Sequence, residues 1–368
     1  MIPQTDPKAG YLAQQTEIDA AIVGVLGRGA YILGPEVEAF EREFAAFIGA
    51  GFALGVGSGT DAITLGLKAL GIGAGDGVAT VSHTATATAA AIEMAGATPV
   101  LVDVEPESFG MDPASLQRLF QAPPLPIRAV VPVHLYGRPA RIGEIMALAA
   151  RHRAAVLEDA SQAHGAAVDG RRVGGFGAAG AFSLYPTKNL GAIGDGGVLV
   201  FQDEVFAGRA RRLREYGWRR RFVAEEPGMN TRLDELQAAI LRVKLRRLDQ
   251  ANARRSEIAR AYAEGLAGLP LDLPSEAPGE TCVWHQFVIR APGRDRLRAA
   301  LAEAGVATAI HYPEPVHRQD AYAGRLPIGP GGLPVTERLA AEILSLPIYP
   351  ELADEAVARV IEAVRAAM

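Results

Sequence analysis

The chain has 368 residues, 49% of them hydrophobic and 21% charged, enough to bury roughly three quarters of its unfolded surface and to suggest about two domains. A net charge of −5 and a pI near 5.9 provide no basic field, which argues against nucleic acid or an anionic membrane as a partner. Cys282 is the only cysteine, so no intrachain disulfide and no CxxC metal or redox motif can form, and a cytoplasmic setting fits.

The opening stretch MIPQTDPKAG lacks the charged and apolar regions of a signal peptide. Further on, the apolar runs FALGV (52–56), GVATV (77–81), TPVLV (98–102), RAVVPV (128–133) and AAVLE (154–158) read as strands. Between them, DAITLGLKAL (61–70), ATATAAAIEMAG (85–96) and RIGEIMALAARH (141–152) read as helices. Buried strands separated by helices predict an α/β domain with a mostly parallel sheet between helices. AGAFSLYPTK (179–188) reads as a strand and turn, and GDGG (194–197) turns into the strand GVLVF. Residues 233–266 keep a helical pattern with no proline or glycine until Gly265. As one helix they would span about 50 Å at 1.5 Å per residue, long enough to bridge two domains. WHQFVIR (284–290), DRLRAALAEAG (295–305) and a terminal helix near 351–367 complete a smaller α+β domain. The expected division is a large domain over 1–248, including the N-terminal segment, and a small domain over 249–368.

Ligands of a parallel sheet sit at its carboxyl edge, and three stretches lead there. GVGSGTDAI (55–63) runs from a strand through glycines, Ser58 and Thr60 into a helix start. Such a turn is either a phosphate cradle or a plain tight turn. LEDASQAHGA (157–166) delivers Asp159 at a strand end, as a metal ligand, a salt-bridge partner or a partner for a heterocyclic cation, with Gln162 nearby. FSLYPTKNLGAIGDGG (182–197) carries Lys188, one of only four lysines among 37 basic residues. Arginine cannot lose its proton, whereas a desolvated lysine becomes a nucleophilic amine. Lys188 is therefore either a surface lysine or one kept for chemistry. A phosphate cradle, a strand-end acid and a loop lysine together match the needs of pyridoxal phosphate.

The sequence resembles the DegT/DnrJ/EryC1/StrS family of nucleotide-sugar aminotransferases, which have the fold of type I pyridoxal-phosphate enzymes. The matching stretches, in family order, are GSGTDAITLGLKALG (57–71), TATATAAAIEMAGATPVLVDV (84–104), PVHLYG (132–137), LEDASQAHGA (157–166), FSLYPTKNLGAIGDGG (182–197), GMNTRLDELQAAIL (228–241) and IHYPEPVH (310–317). The resemblance implies a pyridoxal 5'-phosphate Schiff base on Lys188, which also serves as acid and base, and Asp159 as partner of the pyridinium nitrogen. Gln162 would bond the ring's phenolic oxygen, and Ser58, Gly59, Thr60 and Ser183 would hold the phosphate. No metal site is expected.

Asn230 would reach the phosphate from a second subunit, implying a homodimer with shared sites; a helix N-terminal role is the alternative. Many relatives place an aromatic after Thr84, where this chain has Ala85, and His83 is expected to cover the ring instead. His311 and Tyr312 either border the sugar or pack in the core. Among six arginines of ARRLREYGWRRRF (210–222), one or two, Arg220 included, can clamp a diphosphate. The implied reaction moves an amine from an amino acid, L-glutamate, to a nucleotide-linked keto-sugar. The pattern EYGWRRRF resembles relatives acting on dTDP-3-keto-6-deoxyhexoses, with amination at C4 as the alternative. Three rivals remain in view. Sugar dehydratases of this scaffold carry histidine in place of Lys188; a sensor or regulatory protein would not need the lysine, aspartate and glutamine set; a dinucleotide-binding enzyme lacks its G-x-G-x-x-G fingerprint here.

Overall fold

The apolar runs become one seven-stranded sheet in a computed structural model covering residues 1–368. Its strands are β1 (Phe52–Val56), β2 (Gly77–Val81), β3 (Thr98–Val102), β4 (Ile127–Val130), β5 (Ala155–Asp159), β6 (Ala179–Ser183) and β7 (Gly197–Phe201). They lie in the order β1-β7-β6-β5-β4-β2-β3. Only β7 runs antiparallel to its neighbours. The carboxyl ends of six strands and the amino end of β7 consequently share one edge.

Helices cover both faces, so β2 and β7 are buried along their whole length and lack polar alternation. On one face Leu54, Leu157 and Leu199 pack with Ile63 and Leu67 of helix Gly59–Ala69 and with Leu213. On the other, Val198 and Val200 pack with Phe40, Phe44 and Leu241 from helices Pro35–Ile48 and Glu235–Leu245. Neighbours in β7 thus serve opposite cores, as the two-residue strand period requires. Each fully buried leucine contributes about 1.5–3 kcal/mol.

The stretch 233–266 is two helices, Glu235–Leu245 and Leu248–Gly265, which corrects the expected single one. They part at Arg246–Arg247, where Arg247 leaves helical geometry at φ −110° and ψ 1°. Leu241 and Leu245 belong to the core under the large sheet. Ile258, Tyr262 and Leu266 belong to a separate C-terminal core with Phe287, Leu344 and Val360. The break lets each apolar stripe face its own core. It sits beside the boundary expected after residue 248. The C-terminal core is built on the antiparallel pair Phe287–Arg290 and Ile343–Leu346. Ile2 joins that core and exchanges backbone bonds with Gly305 and Ala307. The extreme N-terminus therefore packs with the C-terminal unit and not with the large one.

Carboxylates from distant sequence fix several joints. Glu235 accepts from the N–H groups of Gly34 (2.9 Å), Glu36 (3.1 Å) and Val37 (2.8 Å), supplying the N-cap that Gly34 has no side chain to provide. Glu158, wholly buried in β5, accepts at 2.7 Å from each of the N–H groups of Gly174, Phe176 and Gly177. His134 Nδ1 accepts from the Ala140 N–H at 2.9 Å, so its proton sits on Nε2 and is donated to Glu158 at 3.0 Å. Removing this carboxylate strands four buried donors at a cost of about 1–3 kcal/mol each before relaxation. Glu158→Ala is expected to lower the unfolding free energy by about 3 kcal/mol or more, read as a drop in urea midpoint at unchanged slope.

Candidate active site

At the shared strand edge lies a cavity of about 240 Å³. Its first wall is the turn after β1. Ser58 caps helix Gly59–Ala69 by accepting from the Asp61 N–H at 3.1 Å. The N–H groups of Gly59 and Thr60, in the first turn, donate to no protein acceptor and stand at the positive helix end. A Cβ on Gly59 would lie 2.7 Å from Ser183 Cβ, so only glycine lets this turn approach the end of β6. Thr231 secures the turn from outside, accepting from the Gly57 N–H at 2.8 Å and donating to Asp61 Oδ2 at 2.9 Å.

Asp159 and Lys188 also line the cavity. Asp159 is 4% exposed at the end of β5. The Thr88 hydroxyl donates to its Oδ2 at 2.8 Å and the Ser161 N–H to its Oδ1 at 3.2 Å. Lys188 follows β6 on a loop closed by its own N–H donating to the Tyr185 carbonyl at 2.8 Å. Desolvation of its amine lowers the pKa from the usual lysine range to about 8, and the nearby Asp159 charge opposes that shift. About a tenth of the amine is therefore neutral near pH 7, far more than for an ordinary lysine.

The cavity brings together Ser58, Gly59, Thr60, Asp159, Gln162, Ser183 and Lys188. Gln162 Oε1 accepts from the Tyr136 N–H at 2.7 Å, and its Nε2 donates to the Tyr312 hydroxyl at 3.0 Å. Tyr312 thereby stands against the cavity wall, and burial, with Asp159 adding, pushes its pKa up to about 12. His311 is turned to Ser345, its Nδ1 2.8 Å from that hydroxyl.

His83 does not line the cavity, contrary to the expectation that it covers a ring there. The expectation required an extended chain through residues 83–85, but the chain bends at Ser82–Thr84. The imidazole instead stacks near Phe109 and bonds the Tyr136 hydroxyl at 2.9 Å, while Ala85, Ala87 and Thr88 face the cavity. Asn230 is exposed and absent from this chain's own cavity. It is no helix cap, since Asp234 holds the N-cap position of the following helix. Arg220 also lies apart, in an open concavity with Arg211, Arg221, Arg232, Trp218 and Phe222. Another of the six arginines, Arg214, is buried and structural, donating to Glu41 at 2.6 Å and to the Gly55 carbonyl at 3.1 Å.

Thr88 and Ser161 are site residues that the sequence reading missed. The only trace of Thr88 was the Thr84–Thr88 spacing at a helix start, where Thr84 lies just before the helix and the two hydroxyls are 3.0 Å apart. Asp195 and Gly196 also line the cavity, because the antiparallel β7 begins at the edge where its neighbours end.

Comparison with known proteins agrees with this geometry. The model of the DegT/DnrJ/EryC1/StrS aminotransferase family matches residues 13–365. The dTDP-3-amino-3,4,6-trideoxy-alpha-D-glucose transaminase of Streptomyces venezuelae is 48% identical over 365 residues, covering 99% of this chain and 95% of the relative. The erythromycin biosynthesis sensory transduction protein EryC1 of Saccharopolyspora erythraea is 49% identical over 366 residues, 99% of each. The crystal structure of S. venezuelae DesV in complex with a ketimine intermediate superposes with a TM-score of 0.95 at 48% identity, covering 99% of this chain and 98% of DesV. The expected type I fold is borne out by that likeness, and a ketimine in so similar a structure implies use of pyridoxal phosphate. With the family model matching residues 13–365 and relatives nearly half identical over almost the whole length, the chain belongs to the DegT/DnrJ/EryC1/StrS aminotransferase family.

Proposed function

We propose that the protein transfers an amine from L-glutamate to a dTDP-3-keto-6-deoxyhexose, giving the 3-amino sugar, with pyridoxal phosphate held covalently on Lys188. The observation that carries this reading is one cavity lined by a desolvated lysine, a buried strand-end carboxylate and a pair of unbonded N–H groups at a helix start. Those groups fit the cofactor's aldehyde, ring nitrogen and phosphate in turn. The cofactor, when bound, supplies a conjugated cationic ring that stabilises negative charge on the substrate carbon losing its proton.

Lys188 Nζ would hold the aldehyde carbon and, when free, would be the base that takes the donor's α-proton and the acid that returns a proton to the sugar carbon. Its lowered pKa lets it do both near neutrality. Asp159, its two oxygens fixed by Thr88 and Ser161, keeps the proton on the ring nitrogen. The N–H groups of Gly59 and Thr60 and the hydroxyls of Ser183 and Ser58 bind phosphate. Gln162 has a second Nε2 hydrogen for the phenolic oxygen after its bond to Tyr312. Tyr312, held against the cavity wall by Gln162, would border the sugar, whereas His311 is turned to Ser345. With alanine at position 85 and His83 turned away, no aromatic of this segment covers the ring.

The site is completed by a second copy of the chain. Asn230 and Arg220 are exposed on segments away from their own cavity. Large apolar side chains are also left uncovered, including Tyr185 at 52% and Phe222 at 74%. A homodimer that buries them places Asn230 at the partner's phosphate and the arginines near the sugar's diphosphate. The name of EryC1 would suit a sensor, but the catalytic set here is complete. C3 is favoured over C4 by the EYGWRRRF pattern and by the product named for the S. venezuelae relative.

Purified protein is expected to show the visible band of a protonated Schiff base, which borohydride or glutamate discharges and which Lys188→Ala does not form. Covalent uptake by stripped protein should accelerate with rising pH, with a midpoint near the lysine's pKa of about 8, because the neutral amine is the attacking form. Asp159→Asn should bind cofactor yet lose on the order of a hundredfold or more in turnover; wild-type turnover would remove its role. Mixing inactive Lys188→Ala chains with impaired Asn230→Ala chains should restore part of the activity through one intact hybrid site, an outcome that an active monomer at high dilution would contradict. Incubation with glutamate and matched 3-keto and 4-keto dTDP-sugars, read by NMR, should place nitrogen at C3, since misplacement on the scale of 1 Å costs about a hundredfold in rate. Amination at C4 alone would overturn the regiochemistry.

A further inference from the structure

Behind Lys188, on the side away from the cavity, the next residue makes more side-chain bonds than the lysine itself. Asn189 Nδ2 donates to Asn252 Oδ1 at 2.9 Å and to the Val283 carbonyl at 2.8 Å. Both amide hydrogens are thereby used, so Oδ1 must face His285, whose Nδ1 lies 3.2 Å away. An amide oxygen only accepts, and His285 Nδ1 therefore carries the proton. Asn252 is fixed in turn, its Nδ2 donating to the His164 carbonyl at 2.8 Å. Asn252 is 8% exposed and His285 5%. Every amide orientation in the chain His285–Asn189–Asn252–His164 is determined by its neighbours.

These residues come from four places: the lysine loop, the helix Leu248–Gly265, the segment before strand Phe287–Arg290, and the stretch after Asp159. A second lysine serves the same loop, for Lys244 Nζ donates to the Gly191 carbonyl at 2.6 Å. The titratable groups that interact electrostatically with the Lys188 amine are Asp159, His164, His285 and His311, and Arg255 acts on His285. Burial and the neighbouring cation hold the three imidazoles well below their usual range, and so neutral. A loosened loop would let the amine leave this desolvating setting, and its pKa would rise towards the usual lysine range.

We propose that Asn189, held by His285 and Asn252, is a positioning residue that fixes the backbone of Lys188 while its side chain alternates between holding the cofactor and moving protons. This rests on the aminotransferase reading above. The lysine must release a covalent bond, act at the substrate carbon and return, and only its side chain can move without losing the geometry. A backbone tied by three bonds to groups that do not take part in the reaction meets that need. The network also ties the lysine loop to the segment before strand Phe287–Arg290, through Val283 and His285.

The test compares Asn189→Ala, His285→Leu and His285→Asn, the last restoring an N–H close to the position of His Nδ1. In the full-length enzyme, Asn189→Ala and His285→Leu are expected to lower kcat by about 10- to 100-fold with KM for the sugar changed less than about threefold, while His285→Asn stays near wild type. In chains stripped of cofactor, labelling of the Lys188 amine by acetic anhydride, followed by mass spectrometry, should show its half-reaction pH moved upward from about 8 in the first two variants only. A stability loss with an unmoved labelling midpoint and unmoved kcat would overturn the network, as would equal effects of leucine and asparagine at position 285. If Asn189→Ala does not fold, the pair at position 285 decides. Wild-type protein with no cofactor on Lys188 would overturn the underlying aminotransferase reading, whereas cofactor-bearing wild type with wild-type-like variants would overturn the positioning role alone.

Discussion

A half-buried amine, partly desolvated beside a carboxylate, is the constraint on which the site depends. Desolvation pushes Lys188 towards the neutral form and Asp159 pulls it back, leaving its pKa at about 8. Neither influence alone would suit an acid and base working near neutrality. Their balance requires the Asp159 carboxylate to be held beside the lysine, which the Thr88 hydroxyl and the Ser161 N–H do. It also requires the loop after β6 to hold the lysine close by. The sheet order, with β5 and β6 adjacent and parallel, puts both strand ends side by side.

Consecutive residues of β5 show how one strand separates stability from chemistry. Glu158 and Asp159 point to opposite faces, as the strand period dictates. Glu158 is saturated by three N–H groups and a neutral histidine, and has no capacity left for a ligand. Asp159 has two donors and lines a cavity. Arginine and lysine divide similarly. Arg214 and Arg242 make multiple bonds to Glu41, Glu36 and Glu43, a role for a planar group that cannot deprotonate. Two of the four lysines, Lys188 and Lys244, belong to a single loop's mechanics.

Short apolar runs, the glycine turn, Asp159 and Lys188 were legible because each depends on local chemistry. Strand burial shows as unbroken apolar residues, a helix start as Ser58 before a periodic stretch, and a chemical lysine as an exception in an arginine-rich chain. The helix break at Arg246–Arg247 was not legible, since no glycine or proline marks it and two separate cores impose it. His83 was misplaced because an extended segment was assumed where the chain bends. Glu235 capping a helix 200 positions earlier, or Ile2 joining the C-terminal core, leaves no trace in neighbouring residues.

By itself, then, the sequence determined the fold class and the family, and it singled out a lysine, a strand-end acid and a glycine turn, because pattern and composition encode local geometry and reactivity. Tertiary structure alone decided which groups share a cavity, which histidines stay outside it, and what ties down the lysine loop. Hydrogen bonds such as those of Asn189 to Asn252 and His285 join residues 63 and 96 positions apart. Partners at such separations are chosen by packing, which no local pattern records.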